Sequence, residues 1–313
     1  MSSATPLALS SEAEDADDDL PVCVMSFNAA DASGATGLAA DVMAIASSGG
    51  HALPVTTGIF VRDTSTVFEL IELDADTVEE QARTILEDMD VDIFKIGFVG
   101  TPEALAVVAQ IISDYEDIPV VTQVSALSWW ERDKIESYLD ALTELILPQT
   151  SVLVGNYGLL SRWLLPDWTS DKRPGLRDIA AAAAQHGVPY VVITSANMTA
   201  TTSDIVAASP ESILQTITLD RLEANFIGAG DTFSAVLATL LASGDELQDA
   251  VREAGIYVNH SLQTAFTPGM GAAIPNLMFW AQAEMEIDED LEDNDAPHDT
   301  DDLLGKPPTN TRH

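Results

Sequence analysis

The sequence predicts an α/β protein whose mostly parallel sheet is covered by helices on both faces, giving three layers. Two observations carry that expectation. Short, β-branched, nearly continuous apolar runs recur along the chain, as expected of strands buried on both faces. Segments of helical period fall between them, and strand–helix alternation of this length builds a doubly wound sheet. The runs are Val22 to Phe27, Ile93 to Ile96, Val120 to Val124, Val152 to Val154 and Pro189 to Thr194. Thr101-Pro102-Glu103 marks a helix start, with a capping hydroxyl, a proline in the first turn and an acid. Leu105, Val108 and Ile112 follow at helical spacing. Ser243-Gly244-Asp245 reads as a helix stop and a new cap, and Leu247, Val251, Ala254 and Val258 continue the second helix.

The chain has 313 residues and is 46% hydrophobic, enough for a sizeable core. Its 51 acids against 13 bases give a net charge of −38. Glu12 to Asp19 holds six acids and Glu284 to Asp302 eleven; removing these 17, with Lys306 and Arg312, leaves 34 acids against 11 bases, still −23. Such a surface repels nucleic acid and anionic lipid, so neither is expected as a partner. No apolar run is long enough to span a membrane, and the start does not read as a signal peptide, so a soluble, cytoplasmic protein is expected. Residues 1–20 and 284–313 have the composition of disordered acidic tails flanking one domain at 21–283. Cys23 stands alone, which excludes an internal disulfide and a cysteine-based zinc site, and its apolar neighbours make it a small core residue. His51, His186 and His260 are dispersed and match no metal motif; Trp129-Trp130 and Trp163 with Trp168 read as packing.

The segment with the most chemistry is Asn225-Phe-Ile-Gly-Ala-Gly-Asp-Thr-Phe-Ser-Ala235. A glycine-rich turn opening into a helix leaves free N–H groups at the dipole's positive end, a natural anion site. Asp231 stands where a carboxylate takes a proton from a substrate hydroxyl. On chemistry alone, an ordinary helix capped by Asp231 fits equally well. Asp31 suits either a substrate hydroxyl or its own turn, and Lys95 either a phosphate or a structural place at a strand end.

Gly228-Ala-Gly-Asp231 followed by Thr-Phe-Ser-Ala resembles the anion-hole signature of ribokinase-like kinases. More of the chain resembles the hydroxymethylpyrimidine kinases of thiamine biosynthesis: Phe27 to Asp41, His51 to Thr64, Phe94-Lys-Ile-Gly-Phe98 and Phe266 to Pro275. The resemblance implies a ribokinase-like three-layer α/β/α fold and transfer of the γ-phosphoryl group of Mg2+-ATP to a hydroxymethyl group on a small heteroaromatic ring. It also implies the roles. Asp231 is the base, and Gly228, Ala229 and Gly230 form the anion hole. Asp31, Gly37, Arg62 and Phe98 line the acceptor pocket, Asn156 and Thr194 lie on the nucleotide side, and a homodimer is the family's assembly. Metal ligands cannot be named, because the chain departs from the pattern. Arg62 replaces a Gln or Glu that reads the aminopyrimidine, Gln123 replaces an Asp near the metal, and Leu159 replaces the Glu of Pro-Asn-x-x-Glu, leaving Asn156. Thr194-Ser-Ala-Asn197 is closer to pyridoxal kinases. A pyridoxal-type or other ribokinase-like small-alcohol kinase and a non-catalytic ligand-binding protein therefore stay open as alternatives.

Overall fold

The computed structural model describes residues 20–281; both acidic tails, apart from Leu20, fall outside them. Nine strands form one sheet: β1 (Cys23–Asp31), β2 (His51–Arg62), β3 (Val67–Glu72), β4 (Ile93–Ile96), β5 (Val120–Val124), β6 (Val152–Asn156), β7 (Tyr190–Thr194), β8 (Thr202–Ala208) and β9 (Ile213–Asp220). Their order is β3-β2-β1-β4-β5-β6-β7-β8-β9. The six from β2 through β7 in that order run parallel, and β3, β8 and β9 add antiparallel edges.

The helices are α1 (Gly37–Ser47), α2 (Ala75–Leu86), α3 (Pro102–Asp114), α4 (Arg132–Ala141), α5 (Tyr157–Leu164), α6 (Leu176–Ala184), α7 (Ala229–Ala242) and α8 (Leu247–Gln263). They divide the core in two. Met25, Phe27, Phe94 and Ile96 point to the side of α2, α3 and α6. Val24, Ile93, Val121 and Val152 point to the side of α1, α7 and α8. This two-sided burial is why the parallel strands read as continuous apolar runs rather than alternating ones. The strand period also sends Ser26, Asn28 and Lys95 to the α1–α7 face, where all three are buried.

Local signals behave as their chemistry requires. Thr101 Oγ1 accepts the Ala104 N–H at 3.1 Å and caps α3. At the end of α7, Gly244 takes a φ of +92°, and the Asp245 N–H closes the turn on the Leu240 carbonyl. Asp245 is thereby used up in the stop, and Glu246, not Asp245, occupies the cap position of α8. Cys23 is another correction: it is the first residue of β1 and only partly buried, so it lies at the rim and not in the core. Among the described residues, no helix is long and apolar enough to cross a membrane.

Candidate active site

A cavity of about 740 Å3 opens at the carboxyl ends of the parallel strands, the usual place for a ligand in an open α/β sheet. Asn28, Gln123, Asn156 and Thr194, from the parallel strands β1, β5, β6 and β7, reach it from one side, and the turn leading into α7 reaches it from the other. Nine of the ten residues singled out from the sequence line it: Gly37, Arg62, Phe98, Asn156, Thr194 and the run Gly228, Ala229, Gly230, Asp231. Asp31 does not. Its carboxylate accepts from the Ser33 N–H (2.8 Å), the Thr36 N–H (3.1 Å) and Thr36 Oγ1 (2.7 Å), fixing its own loop.

The turn before α7 has the geometry of an anion site. Gly228 precedes the helix with φ +84°, and a Cβ there would overlap the Ala35 carbonyl oxygen. Both the backbone angle and the close approach require glycine. Gly228→Ala is therefore expected to cost at least about 1–2 kcal/mol from the left-handed backbone alone, with the steric overlap in addition. Chemical denaturation of the variant measures this. Asp231 does not cap α7; it is the helix's third residue, and its carboxylate turns toward the sheet.

There it joins a buried polar network. Asn28 Nδ2 donates to Asp231 Oδ1 at 3.1 Å and to Asp41 Oδ2 at 2.9 Å, and the Gly37 N–H also donates to Asp231. Lys95 Nζ donates to both Asp41 oxygens, at 2.7 and 2.8 Å, and stands 3.8 Å from Asp231 Oδ1. Ser26 Oγ completes the shell of Asp41 at 2.7 Å. Lys95 and Asp41 have no solvent exposure, so Lys95 is a structural cation behind the site, not a residue reaching into it. Burial raises the Asp231 pKa above the ordinary aspartate value; Lys95 opposes that rise, Asp41 reinforces it, and the Asn28 and Gly37 hydrogen bonds oppose it.

The opposite wall is aromatic. Phe98 stacks on Phe60 with centroids 5.4 Å apart, and Trp129 meets both rings edge-on at 5.7 and 5.4 Å. Trp129 packs, as the sequence suggested, but it also lines the cavity. Arg62 flanks this wall. Its Nε donates to the Asp63 carbonyl at 3.0 Å and its Nη1 to Thr36 Oγ1 at 3.3 Å, with Asp31 Oδ2 at 3.8 Å. Ser195, beside Thr194, holds a left-handed φ of 53°, a conformation uncommon outside glycine and concentrated at functional sites. A second, more apolar pocket of about 300 Å3 shares Thr194, Ser195, Phe226, Ala229 and Gly230 with the cavity and extends over Ile205, Phe233 and Val258.

A protein-held divalent metal does not fit these residues. Among the described residues no group of three or more acids, histidines or cysteines converges. Among the described residues, Asp231 is the one carboxylate lining the cavity. Gln123, where the resembled family has an acid, gives its Nε2 to Ser125 Oγ at 2.7 Å and keeps a buried Oε1 without a hydrogen-bond partner. A neutral amide oxygen is a poor substitute for the carboxylate or two that Mg2+ prefers. Of the other two amide oxygens, Asn156 Oδ1 caps α5 by accepting the Leu159 N–H at 2.9 Å, and Asn28 Oδ1 accepts the Ala29 and Phe98 N–H groups at 2.9 and 3.0 Å.

Comparison with known proteins agrees with this geometry. Among solved structures, the pyridoxal kinase of Bacillus subtilis, an ADP complex, superimposes with a TM-score of 0.72 at 21% identity, covering 83% of this chain and 99% of that one. The phosphomethylpyrimidine kinase of Clostridium difficile gives 0.62 at 18% identity, over 77% and 99%. At such identities these likenesses establish the ribokinase-like fold alone. Curated relatives include hydroxymethylpyrimidine/phosphomethylpyrimidine kinases of Streptomyces coelicolor, 25% identical over 80% of this chain and 92% of that protein, and of Mycobacterium tuberculosis, 27% identical over 80% and 92%. The phosphomethylpyrimidine kinase family model matches residues 31–276, a span that runs from the Asp31 loop through the aromatic wall and the anion turn. With nearly the whole described fold inside that match, the chain belongs to the phosphomethylpyrimidine kinase family.

Proposed function

We propose that the protein transfers the γ-phosphoryl group of ATP to the hydroxymethyl group of hydroxymethylpyrimidine, or of its phosphate, in thiamine biosynthesis. One observation carries this reading: a buried carboxylate with a raised pKa, Asp231, ends a glycine turn whose N–H groups open into the same cavity as an aromatic wall. The wall of Phe60, Phe98 and Trp129 suits the face of a small heteroaromatic ring. The adjoining apolar pocket suits a nucleotide base, which would bring the phosphates past Thr194 and Asn156 to the N-terminus of α7.

In the step itself the acceptor oxygen attacks the γ-phosphorus, the bond to the bridging oxygen breaks, and ADP leaves. Asp231 receives the hydroxyl proton as the P–O bond forms. The N–H groups of Gly228 to Asp231 stabilise charge on the transferring phosphoryl oxygens, in a site partly closed to water. Mg2+, in this reading, enters with the ATP phosphates rather than waiting on protein ligands. A homodimer is proposed on the family resemblance alone, and a cytoplasmic location on the composition of the sequence. The reading is tested by a screen of small heteroaromatic alcohols with Mg2+-ATP. ADP release that depends on hydroxymethylpyrimidine supports it, and tight binding without ADP release would favour a ligand-binding protein instead.

A further inference from the structure

The Arg62 guanidinium is a partly buried cation whose donors are only partly used. Its side chain is 10% exposed, yet it lines the cavity beside the aromatic wall. Nε is committed to the Asp63 carbonyl and one Nη1 donor to Thr36. At 3.8 Å the nearer Asp31 oxygen is too far for a hydrogen bond, and both Asp31 oxygens already accept from Ser33 and Thr36. Asp31 thus balances the charge of Arg62 without taking its hydrogens. A guanidinium carries five N–H groups and no acceptor; its remaining donors, both on Nη2 among them, find no hydrogen-bond partner among the described residues and are open to water or to a ligand's lone pairs. Arg62 is held by the Asp63 carbonyl and Thr36, and no rotamer of a guanidinium supplies an acceptor.

We propose that Arg62 sets the acceptor class of this enzyme: ring alcohols presenting an oxygen to the guanidinium are preferred over those presenting an amino group. This rests on the kinase reading for the position of the ring and keeps hydroxymethylpyrimidine as an acceptor, the weaker of the two classes. A planar ring against Phe60 and Phe98, with its hydroxymethyl group toward Asp231, has an edge left for Arg62. An oxo or hydroxyl oxygen there receives a charge-assisted hydrogen bond, while an amino group sets donor against donor and leaves buried N–H groups unpaired. Because Asp31 already supplies a negative charge, the oxygen need not be ionised.

The test is a matched pair: amino-bearing hydroxymethylpyrimidine and the otherwise identical compound with an oxo group in place of the amino group. Affinities of both are measured by calorimetry on the full chain, and kcat/KM with ATP in parallel. The wild type is expected to favour the oxo compound by roughly 5- to 150-fold. Arg62→Gln, whose amide can accept as well as donate, is expected to bring the ratio near one by improving the amino compound. Equal affinities in the wild type, a preference for the amino compound, binding of neither, or a ratio unmoved by Arg62→Gln would overturn the proposal. The wild-type ratio alone fixes the sign, so a variant that failed to fold would leave the test intact. Failure of the kinase reading looks different: the oxo preference survives in the binding data while no ADP forms with either compound.

Discussion

Asp231→Asn is expected to lower turnover by about 100-fold or more while nucleotide affinity changes little, since a general base acts on the proton and not on the bound phosphates. The amide keeps the shape of the side chain and can still meet Asn28 and Gly37, so the loss isolates the proton-accepting role. The pH dependence adds a second signature. The base works only when ionised, so kcat/KM falls as pH drops through the pKa of Asp231. That limb lies above the ordinary aspartate range, because burial raises the value. It disappears from the residual activity of the variant. Stability moves the other way. A carboxyl whose pKa is raised by folding holds its proton more tightly in the native than in the unfolded state. Its contribution is therefore full below the unfolded value and declines as pH rises through the folded one. At neutral pH the wild type carries that penalty and the Asn variant does not, so Asp231→Asn is expected to melt higher. A variant with near-normal turnover would remove Asp231 from the mechanism.

The largest effect on folding is expected at Lys95. Its ammonium is fully buried, and it is the cation that faces Asp41 and lies nearest Asp231. Lys95→Met leaves Asp41 buried with only Ser26 and Asn28 as partners. Removing one partner of a buried ion pair costs about 3–5 kcal/mol, because the remaining charge is uncompensated. The double change Lys95→Met with Asp41→Asn removes the stranded charge and is expected to recover much of that loss. Denaturant midpoints for both single variants and the double variant give the coupling. Additive losses would show that the pair contributes little beyond packing. The network also places Asn28, which bridges Asp41 and Asp231, so activity is expected to fall with stability in the single variant.

Much of this architecture was legible because both faces of the parallel sheet are apolar. Each of the five runs read as strands is a strand, and Thr101 caps its helix by the bond its position suggested. The antiparallel edges escaped for the opposite reason. In β9 exposed and partly buried residues alternate, and β3 is largely exposed, so neither makes a continuous apolar run. The site divides along the same line. Gly228 to Asp231 is contiguous in sequence, and its glycines and acid announce an anion turn. Asn28 and Trp129 carry no local signal: one looks like an ordinary polar residue in a strand, the other like packing. Their place in the site follows only from which strands neighbour each other. Whether Asp31 served its own turn or a ligand was likewise a question of side-chain direction, which the sequence does not hold.

Phosphorus NMR of a reaction containing the full chain, Mg2+-ATP and hydroxymethylpyrimidine tests the central claim most directly. The account predicts growth of ADP together with a new phosphomonoester resonance whose coupling to the hydroxymethyl protons locates the phosphate on that oxygen. Both signals should depend on Asp231. An unchanged ATP spectrum from protein that binds nucleotide and alcohol would contradict it, as would ADP formed with inorganic phosphate and no ester.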